Sequence, residues 1–185
     1  ILLDELLDPR LYDESREWDE FRNEVETRLA AHVGDTEREM DVLREAHHAQ
    51  VFRLLARDIA GQLSVEHLSD NLAQLADIVV EKALELCWEK LKNRHPKPEE
   101  KPKFAVIGYG KLGGKELGYA SDLDLVYLHD DPEQGAGELY ARLAQRMNSW
   151  MSSQTSAGIL FETDLRLRPN GDAGMLVPSV ESFRE

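Results

Sequence analysis

A chain of 185 residues, 42% hydrophobic and 31% charged, can bury the core of one ordinary domain or two small ones, and no apolar run approaches the ~20 residues a membrane span needs. The formal net charge of −14 would on average repel a polyanion such as DNA, so nucleic acid is excluded as an expected partner, while a small nucleotide masked by a divalent cation is still admitted. Cys87 is the only cysteine, which excludes an internal disulfide and suits a reducing cytoplasm.

The opening run, Ile1-Leu2-Leu3-Asp4-Glu5, has neither Met nor a basic leader and reads as part of a longer protein rather than as a signal peptide. Helical spacing follows. Trp18, Phe21, Val25, Leu29 and Val33 recur every three or four residues, which predicts one buried helical face, and Gly34 is placed to stop that helix. Thr36-Glu37-Arg38-Glu39 has capping-box form and predicts a second helix with Thr36 as its cap. Met40, Leu43, Val51, Leu54, Leu55 and Ile59 supply its apolar side, and Gly61 ends it. Ser64 can cap a third helix carrying Leu68, Leu72, Leu75, Val79, Leu86 and Leu91. Cys87 falls in that apolar stretch and reads as a small core residue. Residues 1–97 are therefore expected to form a helical bundle or part of one.

From Asn93 to Pro102 the chain holds three prolines and many charges, and residues 98–103 read as a linker. Beyond it the pattern changes. Phe104-Ala105-Val106-Ile107 predicts a short strand ending in Gly108-Tyr109-Gly110, and Leu123 to Leu128 predicts a second. Residues 136–152 fit an amphipathic helix through Leu139, Leu143, Met147 and Trp150. Ile159 to Arg168 predicts a third strand and Gly174 to Val177 a fourth, and Ser179 can cap a further helix. The fold class expected is α+β: a helical bundle, then a small mixed-sheet domain over residues 104–185.

The chemistry concentrates in Ser121-Asp122-Leu123-Asp124-Leu125. Side chains alternate along a strand, so Asp122 and Asp124 share one face while Leu123 and Leu125 point to the core. Two like charges so placed call for compensation, and a hard divalent cation with oxygen ligands supplies it. Alone, Asp-Leu-Asp reads as a strand end with two solvated acids. Two further features shift the reading. Gly108-Tyr109-Gly110-Lys111-Leu112-Gly113-Gly114 is a glycine-rich turn directly after a strand, where backbone N–H groups can approach a phosphate. On the predicted strand 159–168, Asp164, Arg166 and Arg168 share a face, an acid to complete a metal site and guanidinium groups to hold phosphate oxygens.

The same glycines match G-x-G-x-x-G, with Asp130 placed 20 residues beyond Gly110, as in a dinucleotide site. Only residues 113–121 separate the third glycine from the next strand's acids, which is short for a crossover helix. His47 and His48 are adjacent on a helix and face different ways, and His129 ends a strand beside Asp130 and Asp131. All read as structural or solvated rather than as ligands.

The run from Gly108 to Leu125 resembles the signature of the polymerase-beta-like nucleotidyltransferase superfamily and, more narrowly, of the glutamine synthetase adenylyltransferase family. Thr163-Asp164-Leu165-Arg166-Leu167-Arg168-Pro169, followed by Gly174-Met175-Leu176-Val177, resembles that family's second signature. The resemblance is strong over residues 104–183 and extends weakly to Ala49-Gln50-Val51 and Asp58-Ile59-Ala60-Gly61. It implies a cytoplasmic transferase that moves AMP from ATP to a tyrosine of glutamine synthetase. Tyr109 and Tyr119-Ala120-Ser121 are more similar to the adenylylating, C-terminal half of such enzymes than to the phosphorolytic, adenylyl-removing half. It further implies Mg²⁺ held by Asp122, Asp124 and Asp164. Phosphate or nucleotide contacts are implied from Gly110, Lys111, Gly113, Gly114, Ser121, Arg166 and Arg168, and Asp164 is implied to accept the tyrosine proton. The PII signal protein and glutamine are implied as effectors of the whole enzyme.

Overall fold

The computed structural model describes residues 7–8, 11, 18–95, 101–167 and 174–184. Among the described residues, the first three long helices are α1 (Trp18–Ala30), α2 (Thr36–Ile59) and α3 (Val65–Glu89). Helix α1 buries Phe21, Val25 and Leu29, the face picked out by their spacing. Val33 was expected on that face, yet it is 83% exposed. The helix has already ended, and Gly34 turns the chain with a φ of +90°. The cap of α2 is Asp35 rather than Thr36: its carboxylate accepts from the Arg38 N–H. Glu39 completes the pattern by accepting from the Gly34 N–H at 3.0 Å. The capping logic holds one residue earlier, because aspartate outranks threonine as a cap. Ser64 caps α3 as expected, its hydroxyl accepting from the His67 N–H at 3.2 Å.

Helix α2 departs most from its sequence pattern. Its buried residues include Glu39, Asp41, Arg44, His47 and Arg53 beside Val42, Leu43, Ala46, Ala49 and Leu54. Ile59, expected on the apolar side, is largely exposed. Burial drives the His47 imidazole down to about 3, with the neighbouring His48 adding to the effect. The folded protein thus keeps His47 neutral where the unfolded chain protonates it near its ordinary 6.5. The depressed value means its share of stability is full above pH ~6.5 and is lost as pH falls toward 3. Urea unfolding is expected to show a decline of about 1.4 kcal/mol per pH unit between pH ~6 and ~4.5 from this group. His47→Gln should flatten that slope relative to wild type, and an unchanged slope would contradict the assignment.

The later part contains β1 (Phe104–Gly108), α4 (Gly110–Gly113), β2 (Leu123–His129), α5 (Ala136–Ser152), β3 (Thr163–Asp164) and α6 (Val180–Phe183). The strands form one three-stranded sheet in the order β1-β2-β3. Strands β1 and β2 run antiparallel with Phe104 opposite His129 and Gly108 opposite Leu125, and β2 pairs β3 in parallel. The class is α+β with a mixed sheet, as expected. Leu125, Val126, Tyr127 and Leu128 are all buried, so the middle of β2 is covered on both faces. Helix α5 occupies the range predicted for it and buries Leu139, Leu143, Met147 and Trp150.

An aromatic cluster anchors this region. Trp88 stacks on Tyr140 and Phe104 on Tyr127. The Tyr140 hydroxyl donates to buried Asp131 at 2.8 Å, and His95 Nε2 lies 2.9 Å from the same oxygen. Burial works to raise the Asp131 carboxyl. The donors from the Glu133 amide, Tyr140 and His95 outweigh it and hold that carboxyl below its usual range. Cys87 is fully buried, as its surroundings foretold.

Two predicted strands do not form over their expected length. Of the predicted strand 159–168 the described residues are 159–167, and among them only Thr163–Asp164 pairs. The chain then turns, because the Asp164 carboxylate accepts the backbone N–H of Arg166 two residues on, an Asx turn that ends the strand. Residues 174–177 bend without joining a strand. Ser179 does cap α6, accepting from the Ser182 N–H.

The described residues divide into two compact units. One takes the chain up to Val79 together with 116–120 and 153–160. The other takes 80–115, 121–152 and the residues from Phe161 onward. Among the described residues, no helix is long and apolar enough to cross a membrane.

Candidate active site

The glycine turn is built by contacts that exclude side chains. A Cβ on Gly113 would lie 2.6 Å from the Gly108 carbonyl oxygen, so the turn closes on its own backbone. A Cβ on Gly110, where φ is +52°, would lie 2.1 Å from Asp124 Oδ2. The Asp124 carboxylate therefore faces the turn at contact distance. The Tyr109 N–H donates to the Asp124 carbonyl at 2.8 Å and ties turn to strand. The amides of Gly113 and Gly114 are engaged with the carbonyls of Tyr109 and Gly110. Lys111 is exposed on the turn, and Ser121 is half-buried.

This geometry excludes a dinucleotide fold. A Rossmann turn leads through a crossover helix into a parallel neighbour. Here β1 and β2 are antiparallel, and α4 is four residues long.

Leu123 and Leu125 are buried, leaving Asp124 half-buried and Asp122 exposed just ahead of the strand. In the parallel ladder Asp124 is the register partner of Asp164. Paired positions on neighbouring strands sit side by side on one face, roughly 5 Å apart. Asp122 and Asp164 line one cleft of about 510 Å³ with Asn148, Glu162, Thr163, Leu165 and Arg166. The sheet thus brings together residues separated by some forty positions in sequence.

Asp164 is not solitary. Arg166 folds back through the Asx turn, and its Nε lies 3.0 and 2.9 Å from the two carboxylate oxygens while Nη2 bonds Oδ2. These side-chain bonds, then the backbone bond from Arg166, hold the Asp164 carboxyl down at about 2. Arg166 was expected beside Asp164 through strand alternation, and the turn brings it there instead. Arg168 lies outside the described residues.

Three cleft residues were not picked out as site residues by sequence. Asn148 sits next to Met147 on α5, an amide beside an apolar stripe, and it bonds the Thr163 hydroxyl. Glu162 and Thr163 directly precede Asp164 in a stretch that reads as strand, and Thr163 opens the second signature without a role of its own.

The donors fit a hard divalent cation in kind. Asp122, Asp124 and Asp164 offer carboxylate oxygen, and neither His nor Cys lines the cleft. As the side chains stand, no group of three or more acidic, His or Cys residues among the described residues is gathered to hold an ion. The placement of two of them accounts for this: Asp164 is turned onto Arg166, and Asp124 onto the Gly110 turn. Arg166→Gln is expected to raise the Asp164 carboxyl from about 2 toward its ordinary ~3.9. Carboxyl ¹³C NMR titration reads that shift directly, and an unmoved midpoint would show that Arg166 does not set it.

The whole chain, residues 1–185, matches the family described as glutamate-ammonia ligase adenylyltransferase. It is 62% identical over 185 residues to the bifunctional glutamine synthetase adenylyltransferase/adenylyl-removing enzyme of Aromatoleum aromaticum. Identity to proteins of the same description is 54% in Neisseria meningitidis serogroup B and 52% in Chromobacterium violaceum. Each alignment covers 100% of this chain but only 19% or 20% of the relative, so the chain spans about one fifth of their length.

Proposed function

This chain belongs to the glutamate-ammonia ligase adenylyltransferase family, and from that premise we propose that it carries an adenylyl-transfer site: AMP passes from ATP to a tyrosine of glutamine synthetase, and pyrophosphate leaves. The observation that supports this best is the registered pair Asp124 and Asp164, set beside a turn that admits no side chain at Gly110. Like charges directly opposed on neighbouring strands are destabilising. Stability alone would not select them, whereas binding a polyphosphate with its cation would. Residues 104–185 are proposed as the catalytic domain, with 98–103 as the linker that follows the helical region 1–97.

Asp122, Asp124 and Asp164 are assigned to hold Mg²⁺, which when bound would offset the triphosphate charge and stabilise the leaving pyrophosphate. The chain's own groups do the rest. The Gly110 and Lys111 amides and the Lys111 ammonium are assigned to phosphate oxygens, and Gly113 and Gly114 are assigned to keep that turn short. Ser121 is proposed to contact the nucleotide from the strand's lead-in. The Arg166 guanidinium recognises carboxylate and phosphate with the same planar fork. An arriving triphosphate can therefore draw Arg166 away from Asp164, and Arg168 is assigned the same phosphate-binding role. With that pair opened, an Asp164 oxygen is freed to meet the phenolic hydroxyl and accept its proton.

The test compares the full-length protein with its Asp124→Asn variant, using ATP labelled in the α-phosphate and purified glutamine synthetase, with and without Mg²⁺; label lost in the variant is attributed to this site. Label on a glutamine synthetase tyrosine, dependent on Mg²⁺, is the expected result. Label that persists in the variant, while its phosphate-dependent removal of AMP from adenylylated glutamine synthetase is lost, would assign this site to the opposite direction.

A further inference from the structure

Two short segments lead directly to the proposed metal ligands: 116–120 ahead of Asp122, and 153–160 ahead of Asp164. Both belong to the helical unit, and α2 bonds to both. Arg44 on α2 is 0% exposed. Its Nε donates to the Gly158 carbonyl at 2.9 Å, its Nη2 to the Ser153 carbonyl at 2.8 Å, and its Nη1 to Met40 of its own helix at 3.0 Å. His48 Nε2 lies 3.1 Å from the Ile159 carbonyl, and the Ser156 hydroxyl donates to buried Asp41 at 3.1 Å. Near the other end of α2, the Tyr119 hydroxyl donates to Asp58 at 3.0 Å.

This is more than closing a loop requires. Taking a guanidinium out of water costs several kcal/mol, and an apolar residue of similar volume would fill the space without that penalty. What the planar fork adds is direction: it fixes carbonyls at both ends of one loop at once. That loop runs into β3, which at two residues is too short to hold its own place. The neighbouring ladder bond is Leu123 N–H to the Glu162 carbonyl, at 2.9 Å.

We propose that Arg44 is a positioning residue: by gripping both ends of 153–160 it fixes the course of the segment that continues into β3, and Asp58, through Tyr119, does the same for the segment that continues to Asp122. The proposal rests on the adenylyl-transfer reading above.

The experiment compares full-length wild type with Arg44→Lys, Ser156→Ala and Tyr119→Phe. The last two remove single hydroxyls from exposed residues and guard against a folding failure at Arg44. For Arg44→Lys, kcat for transfer is expected to fall about tenfold to a hundredfold, since displacements near 1 Å can have that effect. KM for ATP should stay within about twofold, and half-saturating Mg²⁺ should rise. Ser156→Ala and Tyr119→Phe should show the same pattern at about threefold, as expected for one hydrogen bond each. Hydrogen exchange supplies the readout independent of activity: the Leu123 amide should exchange faster in Arg44→Lys and Ser156→Ala, with α1 amides unchanged. Native kcat in the folded variants, or a loss of kcat with Leu123 exchange unaltered, would overturn the proposal. A wild-type protein that transfers no AMP would count against the adenylyl-transfer reading, and the exchange comparison would still decide whether the α2 grip holds β3.

Discussion

Asp124→Asn is expected to remove adenylyl transfer, with kcat down about a thousandfold or more, while the fold becomes no less stable. The substitution keeps the shape of the side chain and removes its charge. A carboxamide offers one neutral oxygen where the proposed ion needs an anionic one, and metal assistance of this kind supplies several kcal/mol of transition-state stabilisation. Stability should move the other way. Asp124 opposes Asp164 in the ladder, so neutralising it relieves a like-charge contact worth roughly 0.2–1 kcal/mol. Transfer assays and urea unfolding on the same preparation check both halves. Asp122→Asn should lose transfer as well, with little stability change at its exposed position. Transfer near the wild-type rate in either variant would remove that residue from the metal role.

Gly110→Ala should be nearly as damaging to transfer for a different reason, and should also destabilise. A methyl group at this position would meet Asp124 Oδ2 at 2.1 Å, far inside contact, and φ of +52° disfavours any Cβ. The backbone conformation costs alanine about 1–2 kcal/mol, and the clash must be relieved by moving the turn or the carboxylate. Either shift displaces a proposed ligand, for which a loss of about a hundredfold in kcat is reasonable. Gly34→Ala is the control. Its φ is also positive, at +90°, but nothing lies within 4 Å of the added methyl, so it should show the strain without loss of transfer. In the double variant Gly110→Ala with Asp124→Ala, the clash is absent. Its stability should therefore exceed the sum of the two single effects, and the difference measures the contact. Additive stabilities would mean that the turn and the acid do not meet.

Much of this site was legible in local sequence. The glycine turn was placed by its residues alone, and strand alternation around Leu123 and Leu125 put Asp122 and Asp124 apart from the core. At 159–168 and at the start of α2, where sequence reading failed, a side chain had overridden a local pattern. The stretch 159–168 alternates well enough to be a strand, but the Asp164 carboxylate captures the Arg166 amide and bends the chain. Asp35 displaced Thr36 as the cap of α2 because the better acceptor stood one residue earlier. Val33 and Ile59 matched an apolar period and still ended exposed, since each lies where its helix is stopping or has stopped.

Composition and short-range period determined the helices, the strands β1 and β2, the acidic character and the glycine-rich turn, because each depends on residues a few positions apart. Only the tertiary structure decided that Asp124 would stand opposite Asp164, and that a buried Arg44 would bond carbonyls 109 and 114 residues away. The reason is physical. Periodicity says which face of a helix or strand avoids water, but the partner of a buried polar group is chosen by whatever distant carbonyl or carboxylate the folded chain places within hydrogen-bond reach.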